Sequence, residues 1–171
     1  MNVGSNNSRK NVSTFLEVLS VLKTLGLQIH FWKAGADFNS EQKDFIKNHH
    51  LEDSITYLGK PDEHTLVQIY SAADILVAPS LYEGFGMTVL EAMACGTPVI
   101  SSNVTSLPEV AGDAAILVEP KDVQAIANAV CRLKDDDYRN SLITKGLARV
   151  QKFTWENTAE QIIDVYKQII K

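Results

Sequence analysis

The sequence predicts a three-layer α/β/α domain built on a mostly parallel sheet of about six strands. Strand-like and helix-like segments alternate almost without exception up to about Val118, which is typical of strands joined by helical crossovers. The runs ILVA and AILV are short and continuously apolar, as in strands covered on both faces. With 171 residues, 45% of them apolar and 22% charged, the chain has the composition of one globular domain or two small ones.

The elements follow from short apolar runs for strands and from apolar residues spaced three or four apart for helices. The predicted strands are Met1–Val3, Leu27–Ala34, Ile55–Leu58, Ile75–Ala78, Val99–Ser101 and Ala115–Val118. The predicted helices are Asn11–Leu25, Ser40–Asn48, Glu63–Ser71, Met87–Cys95, Asp122–Leu133, Asp136–Gln151 and Thr154–Ile170. The last helix carries an apolar stripe formed by Ile162, Val165, Tyr166, Ile169 and Ile170, with Trp155 at its start.

Several boundaries have physical markers. Ser40 is predicted as the N-cap of the second helix, and Asp122 as that of the fifth. Gly96, followed by Thr97 and Pro98, ends the fourth helix. The segment Pro108-Glu109 is predicted as a loop that faces the same cleft as the other loops at the strand ends.

Three polar features receive ordinary structural interpretations. His30 alternates with apolar neighbours and is expected to be buried or half-buried. Lys33, at the end of the second strand, and Asp37, in the following loop, are expected to be solvated loop charges, with reach into the ligand cleft as the alternative for either. The run Asp135–Asp137 is interpreted as a helix cap and not as a metal site, since it lies between two helical segments.

Composition excludes several classes of protein. The 16 Lys and Arg residues against 21 Asp and Glu residues give a net charge of −5, which argues against nucleic-acid binding. No apolar run is long enough to span a bilayer, and the first residues lack the pattern of a secretory signal. Cys95 and Cys131 have no metal-ligand spacing, so we interpret them as buried, reduced thiols of a cytoplasmic protein.

The segment Ser80–Val99, SLYEGFGMTVLEAMACGTPV, carries most of the chemical information. A buried strand ends, a turn flanked by Gly84 and Gly86 follows, and a helix begins near Met87. Glycine lets the backbone approach a ligand closely, and the N–H groups of a helix start favour an anion. In a sheet of this kind, ligands bind outside the carboxyl ends of the strands. The pattern therefore predicts a phosphate site.

Two carboxylates, Glu83 and Glu91, flank this turn. Acids are poor phosphate ligands but good acceptors of hydrogen bonds from hydroxyl groups. Hydroxyl-rich units on both sides of a phosphate bridge describe a nucleotide sugar, with ribose, diphosphate and hexose. The alternative for Glu91 alone, a structural helix acid that balances the dipole, stays open.

These residues resemble the C-terminal domain of the family 4 retaining glycosyltransferases, which have the GT-B fold made of two Rossmann-like domains. Glu83 and Glu91 match the E-x7-E signature of that family. The surrounding text agrees, with AADILVAPS before the signature, GFGMTVLEAMACGTPVI through it and SLPEVAG after it. The resemblance extends over nearly the whole chain, from VGSNNSRKN to FTWENTAEQIIDVY.

The resemblance implies a role for each matching residue. Glu83 would contact hydroxyls of the donor sugar, and Glu91 would hold the ribose. The backbone amides that would line the sugar and diphosphate are those of Gly84, Phe85, Gly86, Met87 and Thr88. The resemblance implies no metal ion and no cofactor, because the nucleotide sugar is itself the substrate.

The family also places an Arg and a Lys after the first strand to neutralise the diphosphate leaving group. Lys10 matches that Lys, whereas Ser5, directly after Gly4, occupies the usual Arg position. Arg9 adjoins Lys10 and is the candidate to compensate, which leaves its role open. The turn around Gly59 matches the region that packs on the base.

The resemblance further implies that residues 1–171 form only the donor-binding half of the enzyme. The acceptor-binding N-terminal domain would then lie on a missing segment or on a partner chain, and helix 154–171 would pack toward it. The expected activity is sugar transfer from a nucleotide-diphosphate sugar with retention of configuration, and none without the other domain. A cytoplasmic location is expected, with the inner face of a membrane left open through contacts of the missing domain.

Three other classes of protein share this size and general architecture. One is a non-catalytic nucleotide- or sugar-binding subunit that works with a partner chain. Another is an NAD-dependent dehydrogenase domain, which would need GxGxxG after the first strand, where this chain has GSNNSR. The third is a response regulator, which would need a cluster of acids at the strand ends. Asp37 and Asp74 are not placed to form such a cluster.

Overall fold

The structure is a computed structural model that describes residues 1–170. In that part of the chain six strands form the central layer, and all the pairings between them are parallel. The strands are β1 Asn2–Gly4, β2 Phe31–Gly35, β3 Ile55–Tyr57, β4 Leu76–Ala78, β5 Val99–Ser102 and β6 Ala115–Val118. The predicted α/β fold with a parallel sheet is confirmed.

The strands pair as two groups of three, ordered β1-β2-β3 and β4-β5-β6. The two groups meet where β1 borders β4. There the amino group of Met1 donates to the Ile75 carbonyl at 2.6 Å, and the Val77 N–H donates to the Met1 carbonyl at 2.9 Å. These two bonds lie on either side of Leu76, which is the pattern of parallel neighbours. The spatial order is therefore β3-β2-β1-β4-β5-β6, and it reverses direction between β1 and β4.

The described helices cover both faces of this layer. They are α1 Val12–Thr24, α2 Ser40–Asn48, α3 Glu63–Ala72, α4 Met87–Ala94, α5 Leu107–Ala111, α6 Val123–Arg132, α7 Asp136–Val150 and α8 Trp155–Ile169. Successive strand residues enter different cores: Leu76 packs with α3, α4 and α5, while Val77 packs with α1, α2 and α6. Both side chains are buried, which explains why this strand is continuously apolar.

The start of β2 and the segment at Pro108-Glu109 differ from the prediction. Strand β2 begins at Phe31 and not at Leu27, because β1 and β3 pair with this segment only from Phe31 onward. His30 consequently lies outside the strand, exposed, with its ring bonded to the Thr56 hydroxyl at 2.7 Å. The predicted loop at Pro108-Glu109 is instead the short helix α5, which buries Leu107 against the core.

Helix starts show how local side chains set boundaries. The N-cap of α2 is Asn39 and not Ser40, and Asn39 forms a reciprocal capping box with Gln42. Asp122 and Asp135 cap α6 and α7 as predicted, each accepting from the backbone N–H three residues on. The acidic run at Asp135 is thus occupied with helix capping.

Helix α8 lies apart from both cores. Thr154 caps it, and apart from the half-buried Asn157 every described side chain along it is exposed, with Trp155 at 86% and Ile169 at 73%. The prediction placed this helix at residues 154–171, and Lys171 lies outside the described residues. Searching residues 1–170 finds no helix that is both long and apolar enough to cross a membrane.

Candidate functional site

The candidate site lies at the carboxyl ends of β1 and β4, where the strand order reverses. In open α/β sheets this position forms a crevice, because the connections from the two adjacent strands leave toward opposite faces. Gly4 ends β1 and Ser5 begins the loop after it, and the loop after β4 contains Glu83. These two loops are tied together by a backbone bond from the Leu81 N–H to the Arg9 carbonyl at 2.7 Å.

The start of α4 forms one side of the crevice. Gly86 occupies the N-cap position with φ +107°, and a Cβ there would meet Leu107 Cδ2 at 2.9 Å. No side chain of residues 1–170 caps this helix start, so its first N–H groups have no side-chain acceptor. Phe85 and Met87 are exposed beside it, and Gly84 borders open space. The arrangement leaves the positive end of a helix dipole facing the crevice.

Glu83 is held firmly at the opposite side. Its Oε1 accepts a charged hydrogen bond from Lys10 Nζ at 2.6 Å and another from the Ser80 hydroxyl at 2.8 Å. The Ser106 hydroxyl donates to the Glu83 carbonyl at 3.0 Å. Only 16% of each charged side chain of the pair is exposed. Within residues 1–170 the second carboxylate oxygen, Oε2, has no hydrogen-bond partner, so it is available to a ligand hydroxyl.

Lys10 lies against the loop after β1. A Cβ on Gly4 would contact Lys10 Cε at 3.4 Å, so the lysine stem crosses directly over this glycine. Lys10 ends a 3-10 turn, and Asn11 anchors that turn by donating to the Pro79 carbonyl at 2.9 Å. The fold thus brings together Lys10 and Glu83, which are 73 positions apart in the sequence. A site shared by these two residues needs this proximity.

Two of the predicted site residues, Arg9 and Ser5, have exposed side chains. The Arg9 side chain is exposed, and it forms no ion pair within the described part of the chain. Its carbonyl has a structural role as the acceptor for Leu81. Ser5 is also exposed at the mouth of the loop. The structure therefore places both at the rim of the crevice without assigning either a contact there.

Glu91 has a partner that the sequence analysis missed. Tyr70, on α3, donates its hydroxyl to Glu91 Oε2 at 2.8 Å. Tyr70 is 1% exposed, and the Thr97 hydroxyl donates to its carbonyl at 2.6 Å. Burial, together with the Glu91 charge, raises the pKa of Tyr70 far above its ordinary value, so the phenol stays a donor. No local pattern marks Tyr70, because it belongs to the apolar stripe of its helix.

A second row of backbone contacts lies beneath the loop after β1. The Gly35 N–H donates to the Gly59 carbonyl at 2.7 Å, and the Ala36 N–H donates to the Gly4 carbonyl at 3.0 Å. Gly35 has φ +106°, and a Cβ there would lie 2.2 Å from the Gly4 carbonyl oxygen. Only glycine permits this approach, so Gly4, Gly35 and Gly59 form one continuous backbone surface at the strand ends.

The prediction that Lys33 is a solvated loop charge is wrong. It is fully buried, and its Nζ donates to the carbonyls of Gly4 and Ala34, each at 3.0 Å. It lies within β2, so the pleat directs its side chain into the interior. Asp37 is exposed as expected and pairs with Lys43 at 2.6 Å, which lowers the pKa of Asp37.

The fold and this crevice define a Rossmann-like domain of the type that forms one half of GT-B glycosyltransferases. The structure superposes on sucrose-phosphate synthase from Thermosynechococcus elongatus with a TM-score of 0.81 and 32% identity, over 99% of this chain and 45% of that one. A glycosyltransferase from Rickettsia africae gives a TM-score of 0.84 at 22% identity, over 99% of this chain and 48% of that one, which is a likeness of fold.

Residues 1–149 match the family Glycosyl transferases group 1, and the chain belongs to that family. It is 38% identical to O-antigen chain mannosyltransferase B of Escherichia coli, over 96% of this chain and 44% of that protein. It is 35% identical to D-inositol 3-phosphate glycosyltransferase of Corynebacterium urealyticum, over 68% of this chain and 28% of that protein. The predicted family is confirmed, and the chain spans less than half the length of these relatives.

Proposed function

We propose that this chain is the donor-binding domain of a retaining glycosyltransferase that uses a nucleotide-diphosphate sugar. The observation that carries the proposal is the crevice between β1 and β4, where Lys10, Glu83 and the start of α4 converge. Family membership supports sugar transfer in general. The 38% identity to a protein named as a mannosyltransferase makes a mannosyl donor the first candidate to test.

Electrostatics of the crevice fit departure of a nucleoside diphosphate. As the bond to the sugar breaks, negative charge develops on the β-phosphate, and fixed positive groups stabilise it. Lys10 and the N–H groups at the start of α4 supply such charge without a metal ion. In the absence of ligand, Glu83 neutralises Lys10, so a diphosphate would enter by sharing the ammonium group.

The two carboxylates fit the two ends of the donor. Glu83 keeps one oxygen bonded to Lys10 and Ser80, which leaves the other for a sugar hydroxyl close to the reacting carbon. Glu91 is oriented by Tyr70 and would accept hydrogen bonds from the ribose hydroxyls. Gly59, whose carbonyl accepts from Gly35, would present backbone to the base.

Acceptor binding belongs, in this proposal, to a second domain. The exposed apolar residues of α8, including Trp155 and Ile169, would pack against it. We therefore expect no sugar transfer by this chain alone, and transfer after a matching N-terminal domain is added. A non-catalytic subunit that binds nucleotide sugar for a partner chain is the alternative. Cys95 and Cys131 are half-buried and not buried as predicted. As free thiols they fit the reducing cytoplasm, where we place the chain, with membrane contact left to the second domain.

Calorimetric titration of the chain with UDP, GDP, ADP and NAD tests the binding proposal. One nucleoside diphosphate should bind, and NAD should not. Glu91→Ala should weaken binding of that nucleotide by about 1.5–3 kcal/mol, the value of a hydrogen bond to a charged group. Glu17→Ala, an exposed acid on α1, is the matched control and should leave binding unchanged. Absence of any nucleotide binding, or an unchanged affinity in Glu91→Ala, would contradict the assignment.

Glu83→Ala separates the two carboxylates. Because Glu83 is assigned to the transferred sugar, its loss should weaken binding of the nucleotide sugar more than binding of the bare nucleoside diphosphate. Equal effects on the two ligands would argue against a sugar contact. Measurable transfer by the chain without any second domain would refute the requirement for the acceptor domain.

A further inference from the structure

Lys33 is a buried cation that the site described above does not use. Lysine is rarely buried completely, since its ammonium group loses hydration that few interior environments replace. Here the side chain is 0% exposed, and its ammonium group donates hydrogen bonds to backbone carbonyls. It forms no ion pair with an acid anywhere in residues 1–170. A charge retained under these conditions calls for a partner.

The position of Lys33 indicates where that partner would lie. Its Nζ donates to the Gly4 carbonyl at 3.0 Å, and Lys10 crosses the same glycine with its Cε 3.4 Å from the ideal Cβ position. The Gly4 peptide therefore lies between two ammonium-bearing side chains, one buried below it and one at the crevice. The Ala36 N–H donates to the same carbonyl at 3.0 Å. Two ammonium-bearing side chains thus converge on one stretch of backbone.

We propose that Lys33 is a positioning residue for the diphosphate: it fixes the Gly4 carbonyl from below and adds a buried positive charge to the anion site that Lys10 opens. The inference rests on the proposed function, because the anion is the diphosphate of the donor. Lys33 does not contact the ligand in this assignment. It acts through the Gly4 peptide and through its field, which the protein interior screens less than water does.

The charge state of Lys33 provides a direct readout. The pKa of Lys33 is lowered to about 8, mainly by burial and also by the charge of Lys10, while the charge of Asp37 acts in the opposite direction. Among the other groups at this edge, Glu83 neutralises Lys10, and the Tyr57 hydroxyl donates to the Gly35 carbonyl. With a pKa of about 8, Lys33 would carry its positive charge in about nine-tenths of the molecules at pH 7. A bound diphosphate should raise this pKa, because it brings negative charge close to the ammonium group.

Linkage sets the sign of the pH effect on binding. If the ligand raises the pKa of Lys33, the complex holds a proton that the free protein has lost above about pH 8, so affinity falls as pH rises. The loss should be on the order of tenfold between pH 7 and pH 9.5. Folding stability should change in the opposite direction: in the unfolded chain Lys33 has its usual pKa of about 10.4, so the unfolded state binds more protons between pH 8 and 10.4.

The experiment compares nucleotide affinity of the wild type, Lys33→Met and Lys47→Met by calorimetry at pH 7 and pH 9.5. Lys47 is an exposed lysine on α2, and its variant should match the wild type. Lys33→Met should bind the nucleoside diphosphate at least tenfold more weakly at pH 7 and should lose most of the pH dependence. Its affinity for the corresponding nucleoside, which lacks phosphates, should be unchanged. A loss for both ligands alike would identify a merely structural lysine and overturn the proposal.

A measurement on the wild type covers the case in which Lys33→Met does not fold. The lysine side-chain resonances, followed by NMR from pH 6 to 11, report the pKa of a buried lysine directly. That pKa should rise when the nucleoside diphosphate is added and should not rise with the nucleoside. An unchanged value in a protein that binds nucleotide would refute the role of Lys33 while leaving the proposed function intact. A wild type that binds no nucleotide would overturn both.

Discussion

Gly35→Ala probes the close packing of backbone beneath the crevice. A Cβ on Gly35 would lie 2.2 Å from the Gly4 carbonyl oxygen and 2.8 Å from its carbon, and backbone atoms cannot rotate away. The end of β2 would have to move from β1, which breaks the bond from Ala36 to Gly4 and the bond from Lys33 to Gly4. Two such bonds contribute about 2 kcal/mol, and φ +106° adds about 1–2 kcal/mol for a residue with a side chain. The expected loss in the free energy of unfolding is about 3–4 kcal/mol.

Urea denaturation monitored by circular dichroism measures this loss. Gly26→Ala is the matched control, because Gly26 has φ +75° but borders open space, so only the backbone term of about 1–2 kcal/mol applies. Gly35→Ala should therefore be at least about 2 kcal/mol less stable than Gly26→Ala. Equal stabilities of the two variants would refute the claim that Gly4 and Gly35 are in direct backbone contact.

Three further changes test the crevice itself. Tyr70→Phe removes the hydroxyl that orients Glu91, so affinity for a ribonucleotide should fall roughly tenfold while a 2′,3′-dideoxy analogue is unaffected; equal losses in calorimetry would count against the ribose assignment. Lys10→Met should lower nucleoside diphosphate affinity at least about tenfold with little change for the nucleoside, and the reverse pattern would exclude a phosphate role. Gly86→Ala should destabilise the start of α4 by about 1–3 kcal/mol, from φ +107° and the contact with Leu107 at 2.9 Å, and should weaken diphosphate binding; a stable variant with full affinity would refute the helix-start site.

The crevice combines rigid and adjustable parts. The backbone surface of Gly4, Gly35 and Gly59 is held by hydrogen bonds within the sheet, and it changes only if strands move. The ion pair of Lys10 and Glu83 is instead a side-chain contact that a ligand can rearrange, since both groups retain some exposure. A donor that binds here would thus exchange one charged contact for another, without reorganising the fold beneath it.

Predictions for the fold succeeded where the signal is local. The alternation of β4, α4 and β5 follows from apolar runs and glycine boundaries that neighbouring residues determine. The errors arose where neighbouring strands or helices set the limits of an element. Strand β2 is shorter than its apolar run because β1 and β3 offer no pairing partner before Phe31. Helix α5 escaped prediction because its five residues bury Leu107 and Val110 through tertiary packing, which a periodic pattern this short cannot indicate.

The amino-acid sequence by itself determined the family, the parallel α/β architecture and the acids that flank a glycine-rich helix start, because these depend on residues close together along the chain. Only the tertiary structure decided that Lys10 meets Glu83, that Tyr70 meets Glu91 and that Lys33 is buried below Gly4. Those pairs are separated by 73, 21 and 29 positions. Their contact depends on the order in which the strands assemble, and that order is a property of the whole core.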